Sequence, residues 1–160
     1  METARVGHRL PKAKLARMSG GEIVPVQLER LLEARRVVLV GLPGAFTPVC
    51  TGRHLPELIR ESGRLKASGI AEIICIAPNS PWVIDEWAKV VDPDRKLTFL
   101  SDGNMDFVHA AGLTTRAAYL FLGHCSKRYS MIVRDGVVEK LSVEDQVELL
   151  NCTRPSQLLD

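Results

Sequence analysis

This chain of 160 residues has no CxxC pair, no apolar stretch long enough to cross a membrane, no clustered basic patch, no internal repeat and no low-complexity tract. Each absence removes a class of function. Without CxxC there is neither a zinc knuckle nor a vicinal dithiol. A spanning helix needs about 20 apolar residues in succession, so no membrane association is expected. The net charge is +2, with Lys and Arg scattered, so nucleic acid is not expected as a partner. The amino-terminal stretch METARVGHRLPKAKLARM is basic but lacks an apolar signal-peptide core. Its lack of acids after Glu2 leaves an organelle-targeting segment open, against which stands the absence of a long Ser/Arg-rich extension.

What is present is an ordinary globular composition, 46% hydrophobic and 25% charged, which argues against disorder. The length suits a single domain, 1–160, with a sizeable core. Four cysteines stand far apart, at 50, 75, 125 and 152. Widely spaced thiols of this kind fit a reduced, cytoplasmic protein. One or two of them can still carry redox chemistry.

Val26 to Leu32 reads as a short helix after an irregular or strand-like start punctuated by the turn Met18-Ser19-Gly20-Gly21. Apolar runs predict strands at Val37–Leu42, Ile70–Ala77 and Leu97–Leu100. Helical spacing predicts helices over Pro48–Lys66, Ser80–Val91 and Met105–Ala111. Asp135-Gly136 between Tyr129–Val133 and Val137–Leu141 is a hairpin signal. One short helix is expected after Val143. Strands alternating with helices, then a terminal hairpin, give an α/β architecture with a mixed sheet flanked by helices. The order fits a thioredoxin-like layout.

The most informative segment is Pro43-Gly44-Ala45-Phe46-Thr47-Pro48-Val49-Cys50. Thr47 is placed as an N-cap and Pro48 at the first helical position, where a missing N–H costs nothing. Cys50 then falls in the first helical turn, just beyond a strand. Helix-terminal N–H groups favour a thiolate there, and the thiolate is the reactive form. A buried, inert cysteine is the plainer alternative, but a Thr-Pro helix start is not its usual setting. The Thr47 hydroxyl is a cap or a hydrogen-bonding group beside the sulfur.

PGAFTPVC resembles the peroxidatic signature of the type II, or peroxiredoxin-5-like, peroxiredoxins. The resemblance continues through His54-Leu55-Pro56, Ile73 to Asn79, Asp85 to Ala88, Phe99 to Gly103, Lys127 to Met131, Asp135 to Val138 and Val143-Glu144. It implies a thioredoxin-like fold and assigns Cys50 as the peroxidatic cysteine, whose thiolate becomes a sulfenic acid. It further implies that Pro43 shapes and shields the pocket, that Thr47 hydrogen-bonds peroxide and thiolate, and that Arg128 completes the pocket. By itself Arg128 reads as one more solvated charge; near a thiolate, a guanidinium would keep the sulfur ionised.

For the resolving step, Cys75 resembles the cysteine of plant-type members and Cys152 that of animal members. Cys75, in an apolar strand, reads rather as a buried structural thiol. Cys152 sits in a polar tail expected to be mobile, and the tail departs from the animal pattern after it. Cys125 reads as a loop thiol without catalytic consequence. His54 is a conceivable base, but a helix-surface or interface histidine is the expectation, and Trp82 and Trp87 read as core or interface aromatics.

These readings converge on a peroxidase that reduces hydrogen peroxide and small organic hydroperoxides without metal, haem or other cofactor. Glutathione with glutaredoxin, or thioredoxin, is expected to regenerate it, glutathione being favoured, and a homodimer packed near the active-site loop is expected. The alternatives are a redox sensor passing oxidation from Cys50 to a partner protein, a thiol–disulfide oxidoreductase, which the missing CxxC disfavours, and an inactive scaffold.

Overall fold

The unbroken apolar runs become the centre of one sheet. The computed structural model describes residues 3–159; Met1 and Glu2, at the head of the basic segment, and Asp160 lie outside the described residues. The strands are β1 (Lys14–Ser19), β2 (Glu22–Gln27), β3 (Arg36–Gly41), β4 (Glu72–Ala77), β5 (Thr98–Ser101), β8 (Tyr129–Arg134) and β9 (Val137–Val143), with a separate pair, β6 (Thr114–Ala117) and β7 (Gly123–Ser126). The main sheet has the order β2-β1-β5-β4-β3-β8-β9, with β3, β4 and β5 parallel and the outer strands antiparallel. This is the expected mixed α/β sheet.

Central parallel strands are covered on both faces, which is why they read as continuous apolar runs. Val37 and Leu39 pack on one side with Ile74 and Ile76, against α1 (Leu28–Leu31) and α4 (Asp106–Ala110). Val38 and Val40 pack on the other with Ile73 and Cys75, against α2 (Leu55–Ala67) and α3 (Pro81–Val91). Burying each such side chain contributes about 1.5–3 kcal/mol. A Cβ on Gly41 would overlap the ring of Tyr129, its partner in register, so only glycine lets β3 and β8 close at this end.

Four expectations need correction. The helix expected over Val26–Leu32 begins only at Leu28, because Val26 pairs with Leu15 in the first hairpin. The helix expected to run regularly over Pro48–Lys66 contains a wide turn at Cys50–His54 before α2. Cys125 is not a loop thiol: it lies in β7, buried with Ala117 and Val147. The tail carrying Cys152 is not loose: it is bonded back onto Glu144 and ends in α5 (Pro155–Leu158).

Candidate active site

The site forms where β3 hands the chain to the helix. Ala45 N–H donates to Asn79 Oδ1 at 2.9 Å, tying the connecting loop to the end of β4. Phe46 takes a left-handed conformation (φ 62°), a sparsely populated region for a bulky residue. The Thr47 carbonyl then accepts from the Thr51 N–H at 2.9 Å, which starts the helix with Pro48 at its first position. The Thr47 hydroxyl does not cap it; it donates to the Gly44 carbonyl at 2.7 Å. Its hydrogen is thus committed, and its lone pairs remain to accept.

Cys50 occupies the third helical position and is fully buried. The turn it opens is wide: the Leu55 N–H donates to the Cys50 carbonyl, an i→i+5 bond. Pro56 accounts for it. Proline has no N–H for the Gly52 carbonyl four residues back, and its ring crowds that carbonyl, so the regular ladder cannot pass through. The widened turn carries His54 inward. It is buried, not at a surface, which corrects its expected placement.

Arg128 immediately precedes β8. Side chains alternate across a strand, so Arg128 shares a face with Ser130 and Ile132, the face that packs against α2. The guanidinium is buried and its donors are spent on three partners. Nε and Nη2 donate to the Val147 carbonyl at 3.0 and 2.9 Å. Nη2 also donates to Cys50 Sγ at 3.1 Å, and Nη1 bonds His54 Nδ1 at 2.9 Å. Burial, and next the Arg128 charge, push His54 down to about 3, against the pull of the Thr153 backbone and Glu144. A permanent cation therefore faces the sulfur, and its neighbour imidazole stays neutral.

A cavity of about 130 Å³ opens beside this cluster, lined by Pro43, Thr47, Pro48, Val49, Leu120, Leu122, Arg128, Val147 and Glu148. Pro43, Thr47 and Arg128 thus meet at one place, with Cys50 bonded to Arg128 behind it. A larger cavity of about 610 Å³ lies between the β1–β2 turn and α3, and no member of this cluster lines it.

The other thiols are held in less reactive forms. Burial pushes Cys75 up strongly, with Asp92 and Cys50 adding to it. Burial also raises Cys125, opposed by a backbone bond from Ala117. Cys152 is half-buried, with Sγ 3.4 Å from the Val143 carbonyl, and burial followed by the Glu144 charge raises it too. Sequence reasoning missed Val147 and the use made of Glu144. A backbone carbonyl has no sequence signature, and nothing in the sequence around Glu144 shows which backbone groups its carboxylate gathers.

Residues 5–155 match the Redoxin family profile. Peroxiredoxin-2E, chloroplastic, of Arabidopsis thaliana is 33% identical over 157 residues, covering 96% of this chain and 67% of that protein. Peroxiredoxin-2C of Oryza sativa subsp. japonica is 32% identical over 146 residues, covering 91% of this chain and 90% of that one. The chain spans about two thirds of the length of the chloroplastic relative. The crystal structure of reduced Prx3 from Vibrio vulnificus in complex with H2O2 superposes with a TM-score of 0.91 at 32% identity, covering 98% of this chain and 94% of that one.

Proposed function

Because this chain belongs to the Redoxin family, as a type II peroxiredoxin of the thioredoxin-like superfamily, we propose that it is a thiol-dependent peroxidase acting through Cys50. The observation that carries this reading is the 3.1 Å bond from Arg128 Nη2 to Cys50 Sγ. A guanidinium aimed at a buried sulfur stabilises thiolate over thiol.

The thiolate attacks one oxygen of a hydroperoxide. An S–O bond forms as the O–O bond breaks, and the departing oxygen leaves as water or alcohol after gaining a proton. Sulfur is oxidised to sulfenic acid while the peroxide is reduced. Thr47, its hydrogen held by Gly44, accepts the peroxide O–H and orients the substrate. Arg128 donates to the charge that develops during O–O cleavage. Pro43 walls the cavity on one side. A space of about 130 Å³ with Val49, Leu120 and Leu122 in its walls suits hydrogen peroxide and small organic hydroperoxides.

A second thiol then attacks the sulfenic sulfur, expelling water and leaving a disulfide. We favour glutathione, cleared by glutaredoxin, over thioredoxin acting on an internal disulfide. Support comes from Cys75 and Cys152, both held as thiols by burial. The expected homodimer is supported by exposed aromatics of this region, Phe46 and Phe121 on its loops and Trp82 in the first turn of α3, Phe121 being 97% exposed. Four unpaired cysteines support a reducing compartment, the cytoplasm in our reading.

The test is peroxide consumption with a general thiol reductant. Wild type should turn over steadily and Cys50→Ser should not, since a hydroxyl is not ionised at neutral pH. Retention of most activity in Cys50→Ser defeats the assignment. A single stoichiometric oxidation without turnover favours the redox-relay alternative.

A further inference from the structure

Glu144 directly follows β9 and is only 5% exposed. A buried carboxylate needs partners. One oxygen, Oε2, takes four: the N–H groups of Asn151 at 2.8 Å, Cys152 at 2.9 Å and Thr153 at 2.9 Å, and the Thr153 hydroxyl at 2.7 Å. Burial alone would raise this carboxyl, but those bonds outweigh it and hold it below the usual range, as an anion.

The segment 144–153 therefore closes on itself at a single carboxylate. Its base is fixed to Arg128, since the Glu144 N–H donates to the Arg128 carbonyl at 2.9 Å. Its far end is fixed to β8, since Ser130 donates to the Thr153 carbonyl at 2.7 Å. In the middle, the Val147 carbonyl accepts both Nε and Nη2 of Arg128. Nη2 is also the nitrogen bonded to Cys50 Sγ. A carbonyl on an exposed, unbraced loop could not hold a long side chain to one rotamer.

We propose that Glu144 is a positioning residue for Cys50: its carboxylate closes the 144–153 loop and so fixes the Val147 carbonyl that aims Arg128 at the sulfur. The proposal rests on the reading of Cys50 as the reactive thiol. It also makes a prediction opposite in sign to a simple charge effect. A nearby anion disfavours a thiolate, so removing its charge alone would move Cys50 ionisation to lower pH. Loss of positioning moves it to higher pH.

The test compares Glu144→Ala, which removes the acceptor oxygen, with wild type by the pH profile of Cys50 alkylation, followed by mass spectrometry of the Cys50 peptide, with a thermal melt as the fold control. The expected result is a midpoint raised by about half a pH unit or more and a rate constant with hydrogen peroxide lowered about tenfold. In an Arg128→Gln background the same substitution should lower the rate by less than about twofold, because its route to the sulfur is already gone. An unmoved or lowered midpoint, or an equal loss in both backgrounds, overturns the proposal. Should Glu144→Ala not fold, Thr153→Val removes only the hydroxyl bond; a smaller shift in the same direction supports the proposal and no shift overturns it. Wild-type Cys50 that is alkylated but inert to peroxide would defeat the peroxidase reading while the alkylation comparison still decides the role of Glu144.

Discussion

Arg128 Nη1 bonds His54 Nδ1 across 2.9 Å, and that bond requires the imidazole to be a neutral acceptor. The proton then sits on Nε2, which is buried without a hydrogen-bond partner among the described residues. The pair therefore has a cost that grows with acidity.

His54 stays neutral in the folded state down to about pH 3, whereas the unfolded chain protonates near 6.5. Between those values the unfolded state binds the extra proton, so stability falls as pH is lowered. The slope from this group is at most about 1.4 kcal/mol per pH unit. Thermal melts between pH 6.5 and 5 should show a decline that His54→Gln flattens. An equal slope in both proteins would show that His54 titrates normally.

Arg128→Gln should slow the reaction of Cys50 with hydrogen peroxide about a hundredfold or more. Its alkylation profile should move to higher pH. Arg128→Lys should recover little of either, since one ammonium cannot replace a fork that reaches Val147, His54 and Cys50 together. An unaltered alkylation profile in Arg128→Gln counts against the electrostatic role.

Thr47→Val removes the acceptor but not the guanidinium. The peroxide rate constant should fall roughly tenfold or more, with little change in Cys50 alkylation. Thr47→Ser should restore most of the rate. If the alkylation profile of Thr47→Val moves as far as that of Arg128→Gln, the hydroxyl acts on the thiolate and not on the substrate.

Cys75→Ser and Cys152→Ser should both keep turning over with glutathione and glutaredoxin. Cys75 lies in the middle of a central strand, and Cys152 is tethered to Glu144 through its own N–H. Each would need local unfolding to reach Cys50, given the short Cα separation that a disulfide demands. Lost turnover in either variant, with peroxide reduction intact, would identify it as the resolving cysteine.

The central strands, the terminal hairpin and the placement of Cys50 were legible because they rest on short-range patterns: apolar runs, an Asp-Gly turn and a Thr-Pro start. The β6–β7 pair was not, because Thr114-Thr115-Arg116-Ala117 has neither an apolar run nor a paired turn signal, and Cys125 was misjudged with it. Arg128 was legible only through the resemblance, since nothing local distinguishes it from Lys127. The order in the tail was hidden for a different reason. Asn151, Cys152 and Thr153 look polar and loose, yet it is their backbone N–H groups that are held, by a carboxylate that sequence leaves without a stated partner.

The wide turn at Cys50–His54 amounts to an extra residue that the helix has absorbed without lengthening its docking stripe. One residue turns a helix by about 100°. The extra residue brings Cys50 into phase with the apolar face of α2, so that it is buried in one cluster with Leu55, Leu58 and Leu65. Attachment and chemistry therefore share one face of the helix. A single change at Pro56 that restored the regular ladder would swing Cys50 about 100° off the face by which α2 docks, and so away from Arg128.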